Sequence, residues 1–568
     1  NSQFSILLFA SIFLTINTAK SQIIPKDRRT IWEGNAGVAG GIPNRAIIGA
    51  TINAATYGTG IVDASAAIGA AIDACPEGQV VFIPAGTYRV DTPIYRALAS
   101  FVTIRGAGMG KTILKAGTKI KQVIHLGKGN WPRPTTGIEI LGSASKGKRV
   151  LTVRDASSII VGNLVRLEQQ DLSYVISVNS STTHNFISAV FKVTAKTATT
   201  VTVTPSLPFT YNSSPKLVQY PGSPLVSTGV EDLTLDCNVK CGMGLEIEQS
   251  WGCWVKNIEI INSTNRQMFL VCFVSGEIRH NYTHATASGG PEHEGIDFYE
   301  DGSFNLVEDN ISYNGGFPGI ILGDSRGGCT GNVIAYNFCY NTDTGYPNTA
   351  GMDISVSHGP HNMMNLVEGN IAGGVGSDGY FGSTSHITIL RNWLTATHPT
   401  CSDNLISVNI GRWNNYFNLV GNILGTSAFS RAGLLHPENG FNYADQVIYK
   451  IGYPNMGNNG FNGAWGPTDP PDYIGQAGSG KALQEFDHNV IKTMVLHGNF
   501  DYKTNAMAWD PTITDHNIPV SYFRRSKPAW FGKLSWPPFD PASPPGEFSD
   551  KNISLIPAGY RFIHGVDP

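Results

Sequence analysis

A short apolar strand bounded by asparagine recurs along the chain, and this repeat restricts the possible folds more than any other feature. It occurs at residues 305–310, 332–337, 365–370 and 418–422, and the closing asparagines from Asn310 to Asn422, with Asn392 between the last two, are 27, 33, 22 and 30 residues apart. One coil of a parallel β-helix takes about twenty-odd residues, and loops between its strands add a variable excess. Asparagine tolerates left-handed backbone at a turn, and its amide can bond to the neighbouring coil. The repeat therefore predicts stacked parallel coils.

The N-terminal part of the chain predicts how such a stack begins. Residues 63–75 place Ile68, Ile72 and Cys75 on one stripe at helical spacing, behind the N-cap candidate Asp63. An apolar run at 80–83, the turn at 84–88 with the pattern P-x-G-x-Y, and a strand at 102–106 follow directly. This succession resembles the start of the pectate-lyase-like superfamily, which includes polysaccharide lyases and glycoside hydrolases. The resemblance implies an all-β, right-handed parallel β-helix with an N-terminal capping helix.

Changes in pattern along the sequence divide the chain into five parts. Residues 143–222 interrupt the repeat with alternating strands, and residues beyond 442 are rich in loops, proline and aromatic side chains. We predict a signal peptide at 1–21, the cap and first coils at 22–142, a small β-rich insertion at 143–222, the main coils at 223–442, and a C-terminal region at 443–568 that packs on the helix.

The composition excludes some partners and favours others. A net charge of −3 and a charged fraction of 15% provide no basic surface for nucleic acid. Ten Trp and 21 Tyr offer ring faces on which sugars can stack. We expect a polysaccharide partner, and a homo-oligomer such as a trimer is compatible with this fold. Most of the eight cysteines are expected to be buried small side chains, with one or two disulfides at most.

The first residues predict export. Residues 4–16 are apolar but too short to span a bilayer, and Ala19-Lys20-Ser21 has small residues at the spacing that signal peptidase reads. We therefore expect a periplasmic or extracellular protein without membrane insertion, whose mature chain starts near Gln22.

Acidic residues concentrate on three strands that begin after Gly295, Gly319 and Gly351. Aligned by these glycines, the strands place Asp297, Ile321 and Asp353 in one outward column. Carboxylates two rungs apart would be roughly 9–10 Å from each other, near the ~6.5–9.5 Å that an inverting glycosidase uses. Asp297 with Asp353 or Asp324 is the predicted acid/base pair. Asp301, expected one rung from Asp324, is a further catalytic candidate.

Other polar side chains are expected on the same surface. His358 completes the predicted catalytic group, and six residues are predicted to bind the sugar: Tyr299, Arg326, His361, His386, Arg412 and Trp413. The acid-rich rungs resemble polygalacturonase-type hydrolases, but a paired G-D-D is absent and the sole R-x-K, at 525–527, lies outside the acid-rich coils. No residue role is carried over from that family.

Two alternatives to a hydrolase stay open at this point. A uronate lyase needs a base and often Ca²⁺, for which Glu292 and Glu294 are the candidate ligands. Because no Lys occurs between Lys256 and Lys450, the base would have to be Arg or His. A hydrolase requires no cofactor, and a non-catalytic adhesin would bind glycans without turnover.

Overall fold

Three stacked parallel sheets make up most of the protein. The computed structural model describes residues 23–129, 134–177, 185–286, 293–342, 348–429, 433–434, 447–453 and 487–568. In each coil the chain passes through one strand of face 1, one of face 2 and one of face 3, and the next coil pairs with it in parallel. The predicted all-β parallel β-helix is thereby confirmed.

Faces 1 and 2 adjoin at a tight corner and share two long strands, Gly229–Asp236 and Trp254–Ile261. The other strands of face 1 are Ile48–Thr51, Val80–Phe82, Thr103–Arg105, Glu277–Arg279, Leu306–Glu308, Val333–Ala335, Leu366–Glu368, Thr388–Leu390, Asn418–Val420 and Val495–His497. The other strands of face 2 are Thr59–Asp63, Gly86–Val90, Thr112–Ala116, Tyr282–His284, Ile311–Tyr313, Phe338–Tyr340, Ile371–Ala372, Trp393–Leu394, Ile423–Leu424 and Asn499–Asp501, to which Ala506–Ala508 pairs antiparallel.

Face 3 carries the longest strands of the acid-rich region. Its strands are Ile94–Arg96, Ile120–Gly127, Cys241–Trp251, Met268–Val274, Ile296–Glu300, Ile320–Gly327, Ile354–Ser357, Val375–Ser377, Ile406–Ile410, Val447–Ile451 and Gly433–Leu434, with Leu225–Val226 paired to the end of Cys241–Trp251. Alternate side chains point inward, so Ile296, Phe298, Ile320 and Leu322 are buried in one continuous core.

The recurring asparagines stack at the corner between faces 1 and 2. The side-chain amide of Asn310 donates to Asn337 Oδ1 at 2.9 Å, and Asn337 donates to Asn370 Oδ1 at 2.9 Å. The same bond continues through Asn392 and Asn422 to Asn499. Because these amides are buried, each bond satisfies groups that water cannot reach and fixes the register of adjacent coils.

Short helices lie outside the coils. They are Ala54–Tyr57, Ser65–Ala74, His488–Thr493, Asp550–Ile553 and Pro557–His564, with 3₁₀ turns at Lys26–Arg28 and Ala529–Phe531. The predicted capping helix is Ser65–Ala74, which buries Ile68 and Ile72 against the first coils, while Asp63 accepts a bond from the Ser65 amide at 3.0 Å. Within the described ranges, no helix is long and apolar enough to cross a bilayer.

Two further parts cover the β-helix. A six-stranded antiparallel sheet begins at residue 138, five residues before the predicted insertion, and packs its core on Phe304, Met363 and Met364. Its strands are Ile138–Glu139, Val150–Thr152, Leu164–Gln169, Ile187–Lys196, Thr200–Thr204 and Lys216–Gln219. Aromatic and aliphatic side chains of the C-terminal region cover faces 1 and 2. Cys237 and Cys241 form a disulfide, and five of the other six cysteines are buried.

Candidate active site

Three carboxylates of face 3 converge on the guanidinium of Arg266. Its Nε lies 2.5 Å from Asp297 Oδ2 and 3.3 Å from Glu294 Oε2, and its Nη2 lies 2.6 Å from Asp324 Oδ2. We call Arg266, Glu294, Asp297 and Asp324 the carboxylate cluster. Charge-assisted hydrogen bonds to Asp297 and Asp324, together with the ion pair to Glu294, hold the three acids around one planar group.

Strand pairing explains this convergence. Met268 and Ile296, the first residues of their strands, pair with each other. Arg266 and Glu294 each lie two residues before these positions and are therefore side by side. Asp297 is the second residue of its strand. Asp324 comes from the next strand, where Gly323 has a φ of +65° that bends the backbone. A Cβ at Gly323 would lie 2.5 Å from the Asn362 amide, so only glycine fits this bend.

Burial makes the cluster electrostatically unusual. Asp297 has no exposed surface, and burial followed by the charge of Asp324 raises its pKa well above the ordinary value. Burial raises the pKa of Glu294 to about 7. Burial opposes the charge of Arg266, but the surrounding acids raise its pKa above the ordinary value. Three acids thus face one permanent cation, which favours retention of a proton on Glu294 or Asp297 near neutral pH.

His358 lies one rung beyond the cluster. It pairs with Asp324 across adjacent coils, and its Nδ1 lies 2.5 Å from Asp378 Oδ2. Burial alone would lower the imidazole pKa, but Asp378, followed by Asp324 and Glu294, raises it to about 9. The ring stacks on Tyr380 with centroids 5.4 Å apart. His358 is therefore a cation at neutral pH.

Aromatic side chains and two arginines lie around these charges. Arg326 Nε donates to the Tyr299 hydroxyl at 3.2 Å, and the Tyr299 ring lies 5.0 Å from Phe269. Further along the same face, the guanidinium of Arg412 lies 4.9 Å over the Trp413 ring, directly after the strand that pairs with Val375–Ser377. The predicted binding residues Tyr299, Arg326, Arg412 and Trp413 are all partly exposed.

The predicted column of Asp297 and Asp353 is wrong. Ile354, not Met352, pairs with Ile320, so Ser355 occupies the position after Ile321. Asp353 lies before its strand, where it is buried and accepts bonds from the Thr342 hydroxyl and, at 2.5 Å, from the Gly373 amide. Burial raises its pKa to about 7, but it caps a corner and does not join the carboxylate cluster.

Asp301 is not brought to the cluster either. It is fully buried against the insertion, where it accepts a hydrogen bond from the Tyr220 hydroxyl and lies 3.6 Å from Arg166 Nη1. The expected contact between Asp301 and Asp324 is thus replaced by an ion pair that joins the insertion to the β-helix.

Two predicted sugar-binding histidines are also buried elsewhere. His361 lies between the hydroxyls of Ser383 and Ser385, at 2.8 and 2.7 Å, and His386 stacks on Tyr416. Burial lowers the pKa of both imidazoles to about 3, so both are neutral. Glu292, the other calcium-ligand candidate, lies outside the described residues, as do residues 1–22 with the predicted signal peptide.

Two important residues were not predicted. Arg266 precedes the acid-rich segment by one coil and shares the position of Glu294, so extending the rung alignment upstream would have found it. Asp378 follows Ser377 as His358 follows Ser357, and these serines pair. Aligning the strands by their last residues, in addition to their leading glycines, would have placed Asp378 beside His358.

A family model described as rhamnogalacturonase A/epimerase, pectate lyase-like, matches residues 52–268. The match covers the first coils of the β-helix, and the parallel strand pairing continues beyond it. The chain is a parallel β-helix protein whose residues 52–268 are pectate-lyase-like. The match contains Arg266 but ends before Glu294, Asp297 and Asp324. No curated protein matches the sequence significantly.

Three solved structures show remote similarity to this chain. The tailspike gp49 of Pseudomonas phage LKA1 is 14% identical over 64% of each chain, with a TM-score of 0.39. The A-module of mannuronan C-5 epimerase AlgE4 from Azotobacter vinelandii is 14% identical over 65% of this chain and 86% of its own, with a TM-score of 0.35. The polygalacturonase of Erwinia carotovora is 12% identical over 66% and 78%, with a TM-score of 0.29. The chain thus spans less than two thirds of the tailspike, and the fold assignment depends on the strand pairing.

Proposed function

We propose that this pectate-lyase-like β-helix protein is an exported polysaccharide-degrading enzyme, and specifically a glycoside hydrolase that uses the carboxylate cluster. One observation carries the proposal: Asp297 and Asp324 bind adjacent nitrogens of one guanidinium. Glycoside hydrolysis needs two carboxyl groups, one protonated and one ionised, on either side of the scissile bond. Buried acids that share one cation meet that requirement near neutral pH.

The two acids are proposed to have different roles. Asp297, whose pKa is raised most clearly by burial, is the general acid that protonates the leaving oxygen. Asp324, which binds Arg266 and pairs with His358 across adjacent coils, is the proposed base or nucleophile. Because Asp297 has no exposed surface and the Arg266 side chain is 16% exposed, the substrate reaches Asp297 only when Arg266 moves aside.

A lyase is less well supported because a neutral base is missing from the cluster. The pKa of Arg266 is raised and that of His358 is about 9, so both are protonated at neutral pH. The neutral imidazoles of His361 and His386 are buried away from the carboxylates. Glu294, proposed as a Ca²⁺ ligand for a lyase, is already ion-paired with Arg266.

The test is a screen of the purified mature chain against polysaccharides, with rhamnogalacturonan and other pectic polymers first because of the matching family. A hydrolase releases reducing ends without new ultraviolet absorbance. Absorbance from an unsaturated uronate would establish a lyase, and binding without turnover would establish an adhesin. Terminal sequencing of secreted protein checks cleavage near Gln22, and light scattering checks whether the chain is a trimer.

Variants assign the site once a substrate is found. Asp297→Asn and Asp324→Asn should each lower kcat by at least ~10²-fold, as expected when proton transfer is lost. The matched control is Glu259→Gln, which changes a partly buried carboxylate on face 2 that contacts His284 at 2.8 Å. Full activity in both aspartate variants would refute the assignment.

A further inference from the structure

A second group of ionisable side chains lies on face 3, on the two strands that precede Met268–Val274 in the stack. His125 belongs to Ile120–Gly127, and Glu246 and Glu248 belong to the neighbouring strand Cys241–Trp251. His125 pairs with Glu246, and Glu248 is two residues further along the same strand as Glu246. Side chains two residues apart in a strand lie on the same side, so all three point outward together. One ligand atom from each of the three lies within 4.8 Å of the other two.

The backbone holds this group tightly. His125 Nε2 lies 3.1 Å from Glu248 Oε2, and the Gly129 amide donates to the same oxygen at 2.6 Å. A Cβ at Gly129 would lie 2.5 Å from Glu248 Oε1, and Gly127 adopts a φ of +83° where a Cβ would lie 2.0 Å from the Glu248 carbonyl oxygen. Both glycines therefore allow the chain to wrap closely around one carboxylate.

An unsatisfied amide provides an independent indication of a ligand. Gln122 is 3% exposed, its Nε2 lies 2.9 Å from His125 Nδ1, and its Oε1 is buried without a hydrogen-bond partner. A buried polar atom without a partner is costly. A cation bound to His125 Nε2 would leave the proton of the imidazole on Nδ1. With the Gln122 side-chain amide turned over, Oε1 would accept a hydrogen bond from Nδ1, as the outer partners of metal-bound histidines do.

The geometry points to a divalent-metal site: we propose that His125, Glu246 and Glu248 bind a first-row transition metal ion such as Zn²⁺. One imidazole with two carboxylates suits zinc or a similar ion, whereas Ca²⁺ prefers oxygen ligands alone. Three protein ligands leave a fourth position for water or a sugar oxygen. Glu246 stands in the same outward column as Phe269 and Asp297, so the metal would lie two rungs, roughly 10 Å, from Asp297.

One cation competes for this position. Lys121 Nζ lies 3.2 Å from Glu246 Oε2, and its side chain is 64% exposed, so it can swing into solvent when a metal binds. Removal of its charge should strengthen metal binding without disturbing the core. A purely structural His–Glu contact would show no such effect.

The experiment is calorimetric titration of Zn²⁺ into the metal-free mature chain, with Ca²⁺ in a parallel arm. We expect one zinc site that His125→Ala and Glu248→Gln remove, that Gln122→Ala weakens by about 10–100-fold, and that Lys121→Gln tightens. His284→Ala is the matched control, because its imidazole contacts Glu259 at 2.8 Å and the structure shows no second carboxylate ligand there within its described residues. This variant should bind zinc as the parent chain does.

Several outcomes would overturn the site. They are no zinc binding, a preference for Ca²⁺, undiminished binding in His125→Ala and Glu248→Gln, or an equal loss in His284→Ala. Circular dichroism in chelator shows whether each variant folds. If the ligand variants do not fold, Lys121→Gln decides, and unchanged or weaker zinc binding in that variant would contradict the proposal. The readout is binding, so the result is independent of any enzymatic activity.

Discussion

Replacement of Glu294 by Gln should change how the free energy of unfolding depends on pH, and the direction of that change follows from the burial of Glu294. Burial raises the pKa of Glu294 to about 7 from an ordinary value of 4.5. The folded protein therefore binds more protons than the unfolded chain between those values, and the free energy of unfolding falls as pH rises through that range. The full difference corresponds to about 3 kcal/mol. Glu294→Gln removes this dependence.

The assay is equilibrium unfolding in urea of parent and variant at several values between pH 4 and 8. The free energy of unfolding of the variant, relative to that of the parent, should rise by about 3 kcal/mol from the acidic to the alkaline end of this range. Ionisable groups that do not interact with Glu294 cancel in this comparison. Glu259→Gln is the control with the opposite sign, because the hydrogen bond from His284 lowers the pKa of Glu259. A parent-to-variant difference that stays constant with pH would refute the reasoning for Glu294.

Three further predictions follow from the described contacts. Asn337→Ala breaks the bond to Asn370 and leaves a buried amide unpaired, so it should lower the free energy of unfolding by about 1–3 kcal/mol in urea. Asp301→Ala removes a partner of the fully buried Arg166 and should cost about 3–5 kcal/mol; an unchanged thermal midpoint would contradict this. His358, with a pKa of about 9, should give activity an alkaline limb near pH 9 that His358→Gln abolishes, as a pH–rate profile would reveal.

Alternation along strands was sufficient to predict the fold but insufficient to place the site. The repeat of asparagines and apolar residues specified both the corner bonds and the inward side chains of each coil. A slip of two residues keeps every inward side chain inward, because the period of a strand is two. Aligning Gly351 with Gly319 makes such a slip, because it pairs Met352 with Ile320, whereas the true partner of Ile320 is Ile354. The inward pattern was preserved, but Asp353 was placed in the wrong column.

Contacts from outside the coils could not be predicted by stacking rungs. Asp301 lies at the end of a strand in left-handed backbone, φ +54°, and binds Arg166 and Tyr220 of the insertion. No local pattern around Asp301 indicates that a partner 81 residues away will cover it. A carboxylate at a strand end is equally suited to solvent, substrate or an inserted domain, and only the packing of the insertion decides among them.

The family match covers only part of the side chains on face 3 that the two proposals use. The family match covers His125, Glu246, Glu248 and Arg266 but ends at residue 268, so three acids of the carboxylate cluster and His358 come from coils that it does not cover. Arg266 therefore connects a matched coil to unmatched ones through its bonds to Asp297 and Asp324. Because the proposed reacting groups belong to the unmatched coils, the proposed hydrolase activity has to be tested on this chain itself, and the variants at Asp297 and Asp324 address that directly.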